Sequence, residues 1–149
     1  MDEEASLDFY GIDIASLVPH QGAMCLWQRI EQADATSIRL ATSSHADLDH
    51  PLRSDSQLRA IHLAEYGAQA MAVHGGLLAH ASNAPVRPGF LVALRGLELA
   101  LARIDELPGE LICSAGLLAA GEDSQQYGFR IEHQGRLIAK GRAAVMLRD

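Results

Sequence analysis

Residues 58–79, LRAIHLAEYGAQAMAVHGGLLA, decide the fold of this chain, because they predict one long helix built mainly of small and apolar residues. Glu65 places a carboxylate within this apolar helix. At helical spacing it shares a face with apolar and amide residues, namely Ile61, Ala68, Gln69 and Ala72. The pattern therefore predicts a carboxylate on the buried side of the helix.

A buried carboxylate is costly unless it is paired, hydrogen-bonded or protonated. Desolvation raises the pKa of a carboxyl group, and a carboxyl group that is protonated near neutral pH is able to act as a general acid. We therefore expect Glu65 to belong to an active site. The alternative is that Glu65 points to solvent or pairs with an arginine, because structural ion pairs also occur at such positions.

Composition narrows the class of protein. A chain of 149 residues, 48% of them hydrophobic, predicts one domain with a real core. The acidic start MDEEASLD and the lack of a long apolar run predict a cytoplasmic protein with no membrane span. A formal net charge of −7 argues against nucleic acid as a partner. The widely spaced Cys25 and Cys113 predict neither a disulfide nor a metal site.

The order of predicted elements indicates an α+β fold. Residues 1–13 are expected to form a flexible tail, and residues 14–149 a single domain. Strands are predicted at residues 25–33 and 37–44, before the helix, and Ser54, Asp55 and Ser56 are the candidate N-caps of that helix. Four more strands follow, at residues 90–101, 110–120, 125–133 and 137–147, the last two joined by a Gln134-Gly135 turn. This order predicts an antiparallel sheet wrapped around one long central helix, with edges that dimerisation would cover.

Two segments resemble a known family. Residues 18–30, VPHQGAMCLWQRI, and residues 64–75, AEYGAQAMAVHG, resemble the entry loop and the catalytic helix of 3-hydroxyacyl-(acyl-carrier-protein) dehydratases. Within that family the pairing of a PHxGxM loop with an EYxAQ helix is similar to the proteins of aryl polyene clusters. Residues 88–95 and 128–145 share the likeness. The resemblance implies the hotdog fold and the conversion of 3-hydroxyacyl thioesters to trans-2-enoyl thioesters in fatty-acid or polyene-like biosynthesis.

The resemblance also implies roles for individual residues. Glu65 would be the acid at the C3 hydroxyl, and His20 of the PHxGxM loop would be the base at C2. His50 is the alternative base, because it lies ahead of the helix as the family's usual catalytic histidine does, although the usual GHFPG-like motif is missing. Residues expected to contact substrate are Gly22, Met24, Tyr66 and Gln69, the last of which would also bond the carboxyl group or satisfy a buried polar neighbour.

Several functional alternatives stay open at this stage. A hotdog thioesterase would use the helix carboxylate to activate water, and a non-catalytic hotdog subunit would support a second, active chain. The expected partners are an acyl carrier protein with a phosphopantetheine-linked acyl chain and a second hotdog chain, identical or different. No cofactor is expected. No metal is expected either, because the seven histidines show no ligand spacing. His62 and His74 are expected to be surface or loosely packed residues, and His45, His80 and His133 are expected in loops or exposed strand positions.

Overall fold

The computed structural model describes residues 6–19, 22–85, 87 and 89–148. Within these ranges the chain forms one α-helix and six β-strands, together with four short 3-10 turns. The strands and the helix are β1 (Arg29–Ala33), β2 (Ser37–Thr42), α1 (Leu63–Ala81), β3 (Gly89–Leu99), β4 (Leu111–Ala120), β5 (Ser124–His133) and β6 (Arg136–Leu147). The 3-10 turns are Ile14–Ser16, Gly22–Met24, Ser44–Ala46 and Ala60–His62.

The six strands form one antiparallel sheet in the order β1-β2-β4-β5-β6-β3. Local turn chemistry sets its hairpins. Asp34 accepts hydrogen bonds from the backbone N–H groups of Thr36 and Ser37 between β1 and β2. Gln134 and Gly135 both adopt positive φ, 50° and 80°, in the two-residue turn between β5 and β6. The predicted hairpins are therefore confirmed.

The sheet curves around α1, whose buried side chains form the centre of the core with those of the strands. The close approach of α1 to the sheet depends on small residues of the helix. A Cβ at Gly67 would lie 2.7 Å from the ring of Phe129 on β5, so no larger residue fits there without a shift. The predicted architecture, an antiparallel hotdog sheet wrapped around one long helix, is thus confirmed.

The start of the helix differs from the prediction. Asp55 and Ser56 adopt positive φ in a turn, and none of the three candidate N-caps holds the helix. The chain instead pairs with a distant segment, because Ala60 N–H donates to the Ala102 carbonyl and Ile104 N–H donates to that of Leu58. Only then does the 3-10 turn Ala60–His62 lead into α1. A non-local pairing overrides the local capping signal.

Two other boundaries, the start of the first strand and the end of the N-terminal tail, also differ from the prediction. The first strand begins at Arg29 rather than at residue 25, because the N–H of Leu26 bonds to the side chain of Gln69 and not to a neighbouring strand. The described part of the predicted tail, residues 6–13, packs on the domain: Leu7 N–H donates to the Ala33 carbonyl at 2.8 Å, and Phe9 and Ile12 contact the core. The domain therefore includes these residues.

Candidate active site

A cavity of about 250 Å³ lies between α1 and the inner face of the sheet. Its helix wall includes Glu65, Ala68, Ala72 and Gly75, which lie three or four residues apart and hence on one face, together with Met71 and Gly76. This wall is about 15 Å long at the rise of an α-helix. The small side chains leave an open groove beside the helix, and Glu65 is the ionisable group on that helix face.

The opposite wall of the groove comes mainly from the sheet. Apolar side chains of β3 and β6 supply much of it, namely Leu91, Val145 and Leu147, and Gly89 of β3 and Gln125 and Tyr127 of β5 also line it. A long, mostly apolar groove with a few polar groups is the usual form of a site for an extended apolar ligand. The dimensions and lining of the groove suit an acyl chain.

Glu65 is half-buried on the groove wall, neither in the core nor on the open surface. Its Oε1 atom lies 3.3 Å from Nε2 of Gln69, one helical turn further along α1. The position accounts for the carboxylate in an apolar helix, because the group faces a cavity and has an amide donor beside it. Glu65 therefore lies on the groove wall beside an amide donor.

Gln69 joins the helix to the loop that precedes β1. Its side chain is 2% exposed, Oε1 accepts from Leu26 N–H at 2.9 Å, and Nε2 donates to the Met24 carbonyl at 2.7 Å. Both predicted roles of this amide occur together, since it satisfies buried backbone groups and also contacts the carboxylate of Glu65. Gln69 holds the loop against the helix face that carries the acid.

The loop that precedes β1 contains two predicted substrate contacts, Gly22 and Met24, and neither of them lies on the groove wall. Gly22 and Met24 form a 3-10 turn, in which Gly22 has φ +56°, a conformation that favours glycine. Neither residue lines the cavity, although Pro19 from the same loop does. His20, the predicted base, lies outside the described residues.

His50, the alternative base, is 5% exposed and does not line the cavity. Its Nδ1 accepts from Leu52 N–H at 3.1 Å, so the proton of the neutral ring lies on Nε2, which donates to the Tyr66 hydroxyl at 3.0 Å. Burial lowers the pKa of His50. Both ring nitrogens are thus engaged by the protein.

Tyr66 is fully buried and does not line the groove. Its hydroxyl accepts from His50 and donates to Ser44 Oγ at 2.8 Å, and Ser44 in turn donates to the Leu26 carbonyl at 2.8 Å. Burial raises the pKa of Tyr66 to about 12, so the phenol stays protonated. This chain of hydrogen bonds fixes the first turn of α1, which carries the neighbouring Glu65.

The groove also contains polar residues that sequence reasoning left out of the site. Tyr127 donates its hydroxyl proton to Nδ1 of the buried His74 at 2.6 Å, while Nε2 of His74 donates to the Asp34 carbonyl at 2.8 Å. Arg87 lines the groove, pairs with Asp123 at 3.0 Å and donates to three backbone carbonyls of the β4–β5 turn and of the end of β6. Tyr127 could have been identified from its inward position in the alternation of β5.

Metal sites and membrane spans are not found in the part of the chain that the structure describes. Within the described ranges, no three His, Cys, Asp or Glu side chains come together in a way that could hold a metal ion. No helix of the described residues has both the length and the apolar character needed to cross a membrane.

The fold and the groove define a hotdog-fold protein with a carboxylate on its central helix. Comparison with known proteins then specifies the family: residues 12–149 match the model of the ApeP-like family, described as ApeP dehydratase. The chain therefore belongs to the ApeP-like dehydratase family, and the dehydratase resemblance of its two motifs is confirmed. No curated protein sequence matches the chain.

Solved structures agree with the fold. The dehydratase heterocomplex ApeI:P from Xenorhabdus doucetiae superposes with a TM-score of 0.81 at 18% identity, over 91% of this chain and 91% of that chain. A thioesterase family protein from Silicibacter pomeroyi gives a TM-score of 0.61 at 15% identity, over 85% and 89%. A hypothetical thioesterase from Streptococcus pneumoniae, solved with coenzyme A, gives 0.59 at 14%, over 80% and 84%. At these identities the likeness concerns the fold.

Proposed function

We propose that this protein is a cytoplasmic dehydratase that converts carrier-linked 3-hydroxyacyl thioesters to trans-2-enoyl thioesters. The observation that carries the proposal is the position of Glu65, half-buried on the wall of an apolar groove and beside the amide of Gln69. The family supplies the dehydratase class. The groove supports an acyl chain as the substrate, because its walls are mainly apolar along the helix.

The reaction needs a base at C2 and an acid at the C3 hydroxyl. The base removes the C2 proton, the C–H electron pair becomes the C2–C3 double bond, and the C3 hydroxyl leaves as water with a proton from the acid. We assign the acid to Glu65. Gln69 Nε2 holds its carboxyl group in place and is able to donate to its unprotonated oxygen.

The base is assigned to His20 on the strength of the PHxGxM resemblance. Two observations support this choice over His50. Pro19, the chain neighbour of His20, lines the same groove as Glu65. His50, in contrast, is buried outside the groove with both ring nitrogens in hydrogen bonds to the protein.

A second hotdog chain is the proposed structural partner. The two edges of the sheet differ: β1 has five residues, RIEQA, with charged side chains, whereas β3 has eleven residues and exposes apolar ones; both edge strands contain bulges. The exposed apolar residues of β3 are Phe90, Leu91, Val92, Leu94 and Leu99. A long apolar edge favours pairing with another strand. The similar ApeI:P structure is itself a heterocomplex, which supports a partner of the same fold.

Thioester turnover by the purified chain tests the proposal. With a 3-hydroxyacyl carrier thioester, we expect formation of the conjugated enoyl thioester, and with the enoyl thioester its hydration. Glu65→Gln is expected to lose activity by about 100- to 10,000-fold, since it removes the general acid. The matched control is Glu106→Gln, a change of the same kind at an exposed carboxylate outside the groove.

The other outcomes separate the alternatives. Release of free thiol without an enoyl product would identify a thioesterase. Activity that appears only after addition of a second hotdog chain, and that Glu65→Gln leaves unchanged, would identify a supporting subunit. Either result would overturn the assignment of Glu65 as the dehydratase acid.

A further inference from the structure

Two buried hydroxyl groups donate to one backbone carbonyl, that of Leu26. Thr42 Oγ1 lies 2.7 Å from the Leu26 oxygen, and Ser44 Oγ lies 2.8 Å from it. Thr42 is the last residue of β2, and both side chains are buried. Because a carbonyl oxygen has two lone pairs, the two hydroxyl groups use its full capacity as an acceptor. The backbone of Leu26 is therefore held from the end of β2.

The N–H group of Leu26, on the other side of the same Cα, fixes the orientation of the Gln69 side chain. It donates to Oε1 of Gln69 at 2.9 Å, while Nε2 of Gln69 donates to the Met24 carbonyl at 2.7 Å. If the two ends of the amide were exchanged, Nε2 would face the N–H group and Oε1 would face the carbonyl, and both hydrogen bonds would be lost. The main chain therefore decides which end of the amide points toward Glu65.

This orientation places an N–H donor of Gln69 beside one oxygen of the Glu65 carboxyl group. One hydrogen of Nε2 donates to the Met24 carbonyl, and Oε1 of Glu65 lies 3.3 Å from the same nitrogen. An oxygen that faces an N–H donor is not the one that carries the carboxyl proton, so in the acid form the proton belongs on Oε2. The hydrogen bonds that begin at Thr42 thus select the oxygen of Glu65 that delivers a proton.

We propose that Thr42 is a positioning residue for Glu65, acting through the backbone of Leu26 and the amide of Gln69. The reaction step that it serves, proton delivery to the C3 hydroxyl, rests on the proposed function. Thr42, Leu26 and Gln69 do not line the groove, so loss of the Thr42 hydroxyl leaves the acyl-binding walls as they are. Its effect is expected on the chemical step and not on substrate binding.

A purely structural role for Thr42 makes a different prediction. Its Oγ1 atom also accepts from the N–H group of Ser44 at 3.0 Å, a contact that supports the 3-10 turn after β2. A structural role would change stability whether or not residue 69 is glutamine. A positioning role would change turnover only while Gln69 links Leu26 to Glu65. Substitution of Gln69 therefore separates the two roles.

Thr42→Val is the direct test, because it removes the hydroxyl group and keeps the branched shape of the side chain. With a 3-hydroxyacyl pantetheine as substrate, kcat is expected to fall by about tenfold, since a small displacement of a reacting group is costly. KM is expected to stay within about twofold of the wild type. Thr42→Ser keeps a hydroxyl group and should retain kcat. The matched control is Thr36→Val, the same change at an exposed threonine outside this set of hydrogen bonds.

A double-mutant cycle with Gln69→Ala shows whether Thr42 acts through the amide. In the Gln69→Ala background, Thr42→Val should lower kcat no further. Effects on kcat that add in the double variant, an unchanged kcat in a destabilised Thr42→Val, or an equal loss in Thr36→Val would overturn the inference.

Carbon NMR of the Glu65 carboxyl group, assigned by comparison with Glu65→Gln, gives a readout that does not depend on turnover. The resonance is expected to shift in Thr42→Val and to stay in place in Thr42→Ser and Thr36→Val. An unchanged resonance in Thr42→Val would overturn the inference. Absence of wild-type turnover would overturn the proposed function, whereas the NMR result would still decide whether Thr42 positions the carboxyl group.

Discussion

Gly75 and Gly76 are adjacent on α1 but have opposite surroundings. A Cβ at Gly76 would meet the backbone carbonyl oxygen of Leu17 and lie 2.9 Å from its Cβ, whereas a Cβ at Gly75 would meet nothing within 4 Å. Gly76 is therefore required by the packing of the helix on the 3-10 turn Ile14–Ser16 and the residue after it. Both glycines line the groove, but only at Gly75 does the Cβ position have open space around it.

Alanine at these two positions is expected to have opposite effects on stability. Alanine is favoured over glycine in a helix by about 1 kcal/mol, so Gly75→Ala should raise the free energy of unfolding by up to that amount. Gly76→Ala should lower it by about 1–3 kcal/mol, because the backbone of Leu17 has to move. Urea unfolding followed by circular dichroism measures both. A loss of stability in Gly75→Ala as large as that in Gly76→Ala would contradict this account.

A larger residue at Gly75 is expected to shorten the acyl chain that the groove accepts. Gly75→Leu would place its side chain in the groove about 15 Å along the helix from Glu65. Turnover of short-chain substrates should change little, while kcat/KM for long chains should fall by about tenfold or more, an effect worth about 1.4 kcal/mol. Competition between substrates of different chain length measures the ratio. An unchanged ratio in a folded variant would show that the chain lies elsewhere.

Removal of the Tyr66 hydroxyl is expected to destabilise the protein. Tyr66→Phe leaves the Nε2–H of His50 without its acceptor in the core, which costs about 1–3 kcal/mol. Tyr10→Phe is the matched control, because the side chain of Tyr10 is 95% exposed. Equal unfolding free energies for the two variants would mean that the chain of hydrogen bonds from His50 to Ser44 contributes nothing to stability.

Because three of its histidines are buried, we expect the protein to lose stability in mild acid. Burial lowers the pKa of His45, His50 and His74 in the folded protein. The unfolded chain, with histidine pKa values of about 6.5, then binds more protons, so the free energy of unfolding falls as the pH drops below about 6.5. His45 adds to the effect, because its buried Nδ1 has no hydrogen-bond partner among the described residues and would become a donor on protonation.

Urea unfolding at several pH values measures this loss. The slope should reach at most about 1.4 kcal/mol per pH unit for each histidine. Unfolding free energies that stay constant from about pH 7.5 to about pH 5.5 would contradict the prediction.

A charge on the free edge of β3 is expected to prevent association with a second hotdog chain. Val92 is 58% exposed on this edge strand, and Val92→Glu would place a carboxylate among its apolar neighbours. Leu118→Glu is the matched control, because Leu118 is equally exposed but lies on β4, inside the sheet. Native mass spectrometry, with and without the second chain, measures the result. Association that survives Val92→Glu and is lost in Leu118→Glu would place the interface on the outer face of the sheet.

Much of the fold was predictable because its signals are local. Alternation in the strands, the Gln134-Gly135 turn and the long apolar helix depend on neighbouring residues and gave the correct architecture. Glu65 was identifiable as unusual for the same reason, since one charge in an apolar helix is visible without a structure. Its position on a groove wall, however, depends on how the sheet curves around the helix.

The remaining differences come from contacts between distant residues. The predicted N-caps do not cap α1, because residues 58–60 pair with residues 102–104. His74 was expected at the surface or loosely packed, but Tyr127 and the Asp34 carbonyl satisfy both of its nitrogens in the core. His45 and His133 are buried in the same way, donating to carbonyls of the segment that precedes β4. Such partners lie tens of residues away, and no pattern within one segment indicates them.

The unpaired edge of β3 also sets a practical condition for work with this protein. When overproduced by itself, the chain displays the outward-facing N–H and C=O groups of an eleven-residue edge strand that also exposes apolar side chains, a template on which other strands are able to add. Recombinant material made in isolation is therefore expected to precipitate or form inclusion bodies at high concentration. Coexpression with the proposed hotdog partner is the condition under which well-behaved samples should be obtained.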